Sequence, residues 1–539
     1  MRKNDIITLT CDALGADMEG VCHADGMAVF VPGMMPGETA DVRIVKPQSR
    51  YAFGRLEHPA AVPSPDRRES DCPAYPRCGG CSCRHMTYET TLEAKRKQVE
   101  DCFRRIGHID VTVPPVYGMD DPSGYRNKTA LPVGGTADAP VMGFYAPRSH
   151  VIIPAEKCPN AMPPAADISC AVLDWMKEFS VAPYNEETHT GLVRHIVIRV
   201  NREHKAMLTL VINGRELKHV RELVSRIEPL GAVSLIISEN RERTNVILGK
   251  TFRTLWGQDT LEDTLCGLRF SLSPASFFQV NPMQTEKLYR TALEFAELRP
   301  EDTLCDVYCG AGTITLMMAQ HVRTALGIEV VPQAIDNARG NAARNGVSYV
   351  DFRLGAAEDV LPKLVDEGLR PDVIVVDPPR KGLEPIVIEA IAKAGPRRVV
   401  YVSCNVATQA RDAALLRDAG YHVDRVQPVD MFCWTSGVET VVLLSRKDVY
   451  ERIKFDVNVE DLQGRASSTA TYSEIKAYIL EKYGLKVSSL YIAQIKDKCG
   501  FEKRDNYNIG EGKSKELICP PDKEQAIMDA FRHFGMLRD

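Results

Sequence analysis

From residue 303 to residue 444, short β-type runs alternate with helical stretches, and nothing else in the chain restricts its fold as tightly. The runs cover 303–308, 324–329, 349–354, 373–377, 398–403, 421–429 and 438–444. Strands joined by crossover helices lie parallel in one sheet with helices on its faces. A doubly wound α/β sheet of seven strands is therefore expected. No helical stretch separates the last two runs, which should pair as an antiparallel hairpin.

At 539 residues the chain is too long for one core, so several domains are expected. Residues 6–59 alternate short β-runs with glycine-rich turns, the pattern of a small barrel of the oligonucleotide-binding kind. Arg43, Lys46, Arg50 and Arg55 are interleaved there with Tyr51 and Phe53. Cations beside stacking faces suit single-stranded nucleic acid, and a solvated hairpin edge is the other reading. Pro59, Pro63 and Pro65 then lead to a cysteine cluster, a helix over 91–105 and a mixed α/β region over 113–256.

Beyond Arg446 the alternation stops. The polar stretch 463–469 predicts a linker to a small helical module. Ile475, Ile479 and Tyr483 share one helical face, Gly484 ends that helix, and Ser488 or Ser489 caps a second helix to Lys498. Helix, short turn, helix fits a helix-turn-helix with Lys496, Lys498, Lys503 and Arg504 on phosphates; a docking module fits equally. The expected domains are 1–60, 61–265, 266–447 and 465–539.

An apolar content of 44% and charged content of 26% are those of a soluble globular protein. No run of eighteen apolar residues exists to cross a membrane, and the opening MRKNDIITLT lacks the apolar core of a signal peptide. A cytoplasmic protein is expected. In that setting the sixteen cysteines read as metal ligands, nucleophiles or small buried residues, not disulfides. A net charge of −5 excludes coating nucleic acid by charge alone, though not a local basic face.

Asp306-Val307-Tyr308-Cys309-Gly310-Ala311-Gly312-Thr313 stands where the first strand of the sheet turns into a helix. Glycines there let backbone amides approach a ligand at the carboxyl edge of the sheet. A dinucleotide fingerprint would add a third glycine against the pyrophosphate. Ile314-Thr315-Leu316 follows instead, which favours a nucleoside without phosphates, such as S-adenosylmethionine. Glu329 closes the second strand, where a carboxylate accepts hydrogen bonds from ribose hydroxyls. Pro332 opens the next helix, 333–345. Asp377-Pro378-Pro379-Arg380 ends the fourth strand. Amino-group methyltransferases commonly stack the target base on an aromatic residue after the prolines, and Arg380 in that place argues against amine methylation.

Cys404, in Ser403-Cys404-Asn405, follows the fifth strand and faces the same crevice; Glu439 opens the last strand. Taken singly they read as a buried structural cysteine and a solvated glutamate. Together they suit one chemistry. Carbon 5 of uracil is a poor nucleophile until a thiolate adds to C6, after which C5 attacks a sulfonium methyl and a base removes the C5 proton.

With these motifs the chain resembles the RNA uracil-C5 methyltransferases, especially those acting on 23S rRNA, from a TRAM-like barrel through Leu444. The resemblance also rests on Cys72-Pro73, Cys78-Gly79-Gly80-Cys81, Tyr125-Arg126-Asn127-Lys128 and Ser276-Phe277-Phe278-Gln279-Val280-Asn281. It implies a class I methyltransferase fold, Cys404 as nucleophile and Glu439 as proton acceptor. Gln279, Tyr308, Glu329 and Asp377 match cofactor positions, with Thr313 beside them. Two departures stand out: Gly437 where the family commonly has histidine, and Cys433 where it has proline.

Cys72, Cys78, Cys81 and Cys158 offer four thiolates. Their spacing suits zinc, whereas the resemblance implies a [4Fe-4S] cluster of structural use; Cys83 is left out. The partner implied is RNA, with a target uridine turned out of its stack and the refolded RNA loop held by Arg126 and Lys128, next to Asn127, together with Lys95, Arg96 and Lys97. No membrane partner is expected, and a monomer is. A tRNA T-loop uracil methyltransferase is the alternative within the class. An iron–sulfur redox enzyme and a non-catalytic RNA-binding protein are alternatives outside it.

Overall fold

The computed structural model describes residues 1–446, 472–485, 487–499, 519–534 and 536. The chain divides into two compact units, Met1–Tyr450 and Glu451–Asp539. The first opens with five strands, β1 (Ile6–Leu14), β2 (Gly20–Ala24), β3 (Met27–Val31), β4 (Thr39–Pro47) and β5 (Tyr51–Leu56), closed in the order β1-β2-β3-β5-β4. Alternate residues such as Val29, Val31, Val42 and Ile44 fill the barrel, as the two-residue side-chain period requires. The expected small barrel is present.

Helix α1 (Tyr88–Arg105) begins on the Thr87 side chain, which accepts the Thr90 amide, as an N-cap should. The region expected to be mixed α/β is one seven-stranded sheet. Its strands are β6 (Lys128–Gly135), β7 (Pro140–Tyr145), β8 (Ile152–Pro154), β9 (Val193–Val200), β10 (Ala206–Ile212), β11 (Ala232–Glu239) and β12 (Thr251–Gly257), ordered β12-β11-β10-β9-β6-β7-β8. Helices α2 (Ala165–Glu178) and α3 (Val220–Ile227) pack on it through Trp175, Met176 and Leu223. A hairpin of β13 (Leu261–Leu265) and β14 (Leu268–Leu272) and helix α4 (Pro282–Ala296) follow.

The second large sheet holds β15 (Thr303–Val307), β16 (Thr324–Glu329), β17 (Val350–Leu354), β18 (Val373–Val376), β19 (Arg398–Ser403), β20 (Tyr421–Val429) and β21 (Glu439–Arg446). Its order is β17-β16-β15-β18-β19-β21-β20. The five strands before β20 run parallel, and β21 is antiparallel to both β19 and β20. This is the expected class I methyltransferase sheet, with the hairpin folded so that its second strand lies inside.

Period-two alternation builds a core on each face. Val373, Val375, Val400 and Val402 point to α4, α5 (Thr313–Ala319) and α6 (Pro332–Arg344). Ile374, Val376, Val399 and Tyr401 point to α1, α7 (Ala357–Asp366), α8 (Pro385–Ala394) and α9 (Val406–Asp418). A strand buried on both faces is apolar throughout, which explains runs such as Val373-Ile374-Val375-Val376.

In the second unit, α10 (Tyr472–Tyr483), α11 (Ser489–Lys498) and α12 (Pro521–His533) share a core of Ile475, Ile479, Ile492, Ile527 and Phe531. Ser488 caps α11 by accepting the Tyr491 amide at 3.2 Å. Tyr483 departs from its expected apolar role: it is 42% exposed and its hydroxyl donates to Asp529. Lys498 pairs with Glu524. The stretch 463–469, Lys503 and Arg504 lie outside the described residues. Among those described, no helix is long and apolar enough to cross a membrane.

Candidate active site

The site begins with the backbone after β15. Tyr308 takes the left-handed conformation (φ 72°), which lets the amides of Tyr308 and Cys309 both donate to the Ile328 carbonyl, at 2.9 and 3.0 Å. Gly312 is also left-handed (φ 79°), and a Cβ there would stand 3.2 Å from both Ala338 and Phe352, so only glycine suits the turn. The Gly310 amide donates to the Glu329 carboxylate at 3.1 Å, and the Val331 amide to its other oxygen at 2.8 Å. Glu329 is thus aimed across the carboxyl edge of β15 and β16, with a lone pair left on each oxygen for a ligand.

A cavity of about 900 Å³ opens over this edge, and it brings together Gln279, Tyr308, Thr313, Glu329, Asp377, Cys404 and Glu439. Because β21 is antiparallel to its neighbours, its first residue reaches the edge where the parallel strands end. The Tyr308 hydroxyl is buried without a protein partner, leaving a hydrogen bond for a ligand. Thr313 is positioned by the Tyr289 hydroxyl at 2.9 Å. Asn405 caps α9 and donates to the Arg380 carbonyl at 2.9 Å, which ties the turn carrying Cys404 to the Asp377–Arg380 turn.

Three carboxyl groups are buried along this edge. Burial pushes Asp306 up to about 7, against a hydrogen bond from Thr315 at 2.5 Å. Asp377 is pushed up to about 7 by burial and then by Asp306. Glu439 is raised well above the ordinary carboxylate range by burial and then by Asp377, while Arg380 opposes. Burial, then Glu439, raises the Cys404 thiol, and a hydrogen bond from Arg380 and its charge draw it back. Buried carboxyls short of counter-charge suit a cationic ligand. A sulfonium nucleoside, with hydroxyls for Glu329 and Tyr308, fits this donor set.

A second cavity, of about 490 Å³, has Cys72, Cys78, Cys81 and Cys158 on its wall with Arg84, Arg126 and Lys128. Asn160 donates to the Cys81 sulfur at 3.4 Å and the Gly80 amide to the Cys78 sulfur at 3.3 Å. Burial and the neighbouring thiols raise Cys78 and Cys158. Burial, then Arg199 and Arg126, lowers Lys128 to about 8. Cys83 packs instead among Met18, Met35 and Met86. Among the described residues, no group of three or more His, Cys, Asp or Glu side chains is set to hold a metal ion. The expected four-thiolate centre is present as a shared cavity, not as a formed ligand set.

Several cations expected to grip RNA serve elsewhere. Lys95 is fully buried against Asp430 at 2.5 Å, because its place on α1 faces the core. Arg96 pairs with Glu93 and Glu100. Arg126 and Lys128 line the cysteine cavity, and Asn127 is buried, donating to the Gln279 carbonyl at 3.0 Å. In the barrel, Arg43 is bound to Glu57 through two hydrogen bonds of 2.7 Å. Phe30, Tyr51 and Phe53 form a ring cluster there with centroids 5.6–5.8 Å apart, beside the exposed Lys46 and Arg50.

The comparisons with known proteins agree with this geometry. The family described as tRNA (Uracil-5-)-methyltransferase matches residues 252–447, and the TRAM domain matches residues 3–56. A Clostridium tetani protein named as an uncharacterized RNA methyltransferase is 42% identical over 83% of this chain and 97% of its own length. One from Halalkalibacterium halodurans is 43% identical over 83% of this chain and 98% of its own. The chain belongs to the RNA uracil-5-methyltransferase family. A solved member, the Pyrococcus abyssi tRNA (uracil-54, C5)-methyltransferase with S-adenosyl-L-homocysteine, is 26% identical. It aligns with a TM-score of 0.66 over 81% of this chain and 100% of its own.

This RNA methyltransferase carries cavity residues that motif reading passed over. Phe432 stands in the loop between β20 and β21, and 72%-exposed Phe277 lies on the wall common to both cavities. Phe277 had a signal in its motif; Phe432 had none, because only the pairing of β20 with β21 brings its loop to the crevice. Gly437, where the family commonly has histidine, has no left-handed backbone to demand glycine. A Cβ there would meet Phe432 at 3.2 Å.

Proposed function

We propose that this enzyme methylates C5 of a uridine in 23S rRNA, with Cys404 as nucleophile and Glu439 as proton acceptor. The observation that carries this reading is that the two groups share one cavity with Glu329 and Tyr308, at the end of the sheet where ligands of such folds bind. The Cys404 thiolate forms a bond to C6, and the C5–C6 electron pair moves onto the C4 oxygen. S-adenosylmethionine, when bound, would supply the electrophilic methyl: the pair returns through C5 to form the C5–methyl bond as the methyl–sulfonium bond breaks and S-adenosylhomocysteine leaves. Glu439 then removes the C5 proton, the C5–H electrons restore the double bond, and the C6–sulfur bond breaks to release the thiolate. Arg380 favours the ionised forms of both groups. Gln279, Tyr308, Thr313, Glu329 and Asp377 hold the cofactor in this reading.

Cys72, Cys78, Cys81 and Cys158 are read as ligands of a [4Fe-4S] cluster. Four thiols lining one cavity with Arg84, Arg126 and Lys128 suit an anionic group. The cluster takes no part in methyl transfer. Protein purified without oxygen should be brown and contain iron and sulfide; a colourless protein with stoichiometric zinc would replace iron with zinc. In the same reading residues 1–60 and 61–265 hold the RNA and the cysteine site, 266–447 carry the chemistry, 465–539 form an added module, and the enzyme is a cytoplasmic monomer.

The deciding assay uses tritiated S-adenosylmethionine with 23S rRNA and tRNA transcripts. Label in C5 of a 23S uridine is expected, and label confined to tRNA would favour the activity in the name of the Pyrococcus enzyme. Cys404→Ala should lose methylation while still binding S-adenosylhomocysteine. Glu439→Gln should accumulate a covalent protein–RNA adduct. Absence of an adduct in Glu439→Gln would remove the glutamate from its role.

A further inference from the structure

The loop between β20 and β21 is held one carbonyl at a time. Gln284 Nε2 donates to the Asp430 carbonyl at 3.1 Å and Asn281 Nδ2 to that of Met431 at 3.3 Å. Lys95 Nζ donates to the Phe432 carbonyl at 3.0 Å, and the Tyr125 hydroxyl to that of Cys433 at 3.1 Å. The amides of Ser82 and Cys83 complete the series on Trp434, at 3.0 and 3.3 Å. Loop carbonyls ordinarily face water. Here consecutive ones are claimed by α4, by α1, by the segment before β6 and by the cysteine loop.

The only charged donor in the series is itself buried. Lys95 and Asp430 have no exposed side-chain surface and stand 2.5 Å apart. The Tyr88 hydroxyl donates to the second Asp430 oxygen at 2.6 Å. Desolvation of a fully buried ion pair offsets much of its attraction, so such a pair is a weak source of stability. It is a strong source of a single geometry, since neither charge can leave its partner. What this geometry serves is given by the loop's ends: Phe432 lines the cofactor cavity beside Cys404, and Glu439 follows at the head of β21.

We propose that Lys95 and Asp430, together with Tyr125 in the same carbonyl series, are positioning residues for the methyl-transfer reaction. Lys95 bridges the Asp430 carboxylate and the Phe432 carbonyl, and so holds the cavity wall of Phe432 and Glu439 in register with Cys404. This rests on the reading of Glu439 as proton acceptor. Removing the C5 proton demands that Glu439 reach the carbon next to the one bonded to Cys404, and small displacements of a reacting group lower rates steeply.

The test compares the full-length native chain with Lys95→Met/Asp430→Asn, which removes both buried charges together, and with Tyr125→Phe, which deletes one hydroxyl from the same series. Active sites are counted by S-adenosylhomocysteine binding. kcat per site and KM for RNA are then measured, and the covalent adduct is quantified on denaturing gels. The clamp predicts kcat per site lower by about ten-fold in the double variant and by a smaller factor in Tyr125→Phe. KM should stay within about two-fold, and the fraction of enzyme trapped as adduct should rise as elimination slows. A purely structural role would lower the melting temperature and the number of sites, leaving kcat per site and the adduct fraction native. That result in either variant overturns the proposal, and Tyr125→Phe decides alone if the double variant does not fold. Glu439→Gln, run alongside, separates the two ideas. Native turnover in it sinks the proton-acceptor reading, whereas adduct trapping in it with native clamp variants sinks the clamp alone.

Discussion

At the scale of single residues, the site is a set of acids without enough positive charge. Asp306 and Asp377 are pushed up to about 7 and Glu439 is raised well above the ordinary carboxylate range, burial being the first cause for each. A carboxyl whose folded pKa exceeds its unfolded value near 4 binds its proton more tightly in the folded state. Its contribution to stability is therefore complete below that unfolded value and is lost as pH rises through the folded pKa. Between about pH 4 and pH 7 these carboxyls should pull the melting temperature of the ligand-free enzyme down, against His85 and His195, which burial lowers to about 4. In calorimetry Asp377→Asn should therefore make the slope of melting temperature against pH less negative than in the native chain. A more negative slope in the variant would contradict the burial argument. Arg380 acts in the opposite sense on Cys404, drawing the thiol down. Arg380→Gln should slow alkylation of Cys404 near neutral pH by about ten-fold for each unit its pKa rises. Peptide mapping after iodoacetamide gives that rate directly.

Among elements, the turns after β18 and β19 are built as one piece. Asn405 accepts the Ala407 and Thr408 amides at the start of α9 and donates to the Arg380 carbonyl. Asn405→Ala should lower unfolding free energy by about 1 kcal/mol through the lost cap. It should lower kcat more than KM, since Arg380 and Cys404 would no longer be tied together. Equal losses in kcat and KM would deny the link. The strands themselves were readable from the chain. Val373-Ile374-Val375-Val376 faces apolar packing on both sides, so its composition announces a central parallel strand. The place of β21 between β19 and β20 is not written in any such run, because sequence order does not specify strand order. That placement turns Glu439 toward Cys404.

For the whole molecule, the first compact unit ends at Tyr450, and the Clostridium tetani relative aligns over 448 residues in all. Truncation after Tyr450 should leave a soluble enzyme with native S-adenosylhomocysteine binding and native kcat on a minimal RNA; loss of cofactor binding would make the second unit part of the fold. The chain by itself determined the strands of the second large sheet and the cofactor loop, and it offered Cys404 and Glu439 as a candidate reacting pair. Side-chain period, glycine placement and thiolate chemistry are local properties that a sequence carries openly. Only the tertiary structure decided what the cations near the site do. Lys95 looks like an exposed charge in α1 until packing buries it against Asp430, more than three hundred residues away. Arg126 and Lys128 likewise become a wall of the cysteine cavity. Whether a charge meets solvent or a partner depends on which distant segments fold over it, and that is set by the assembled core.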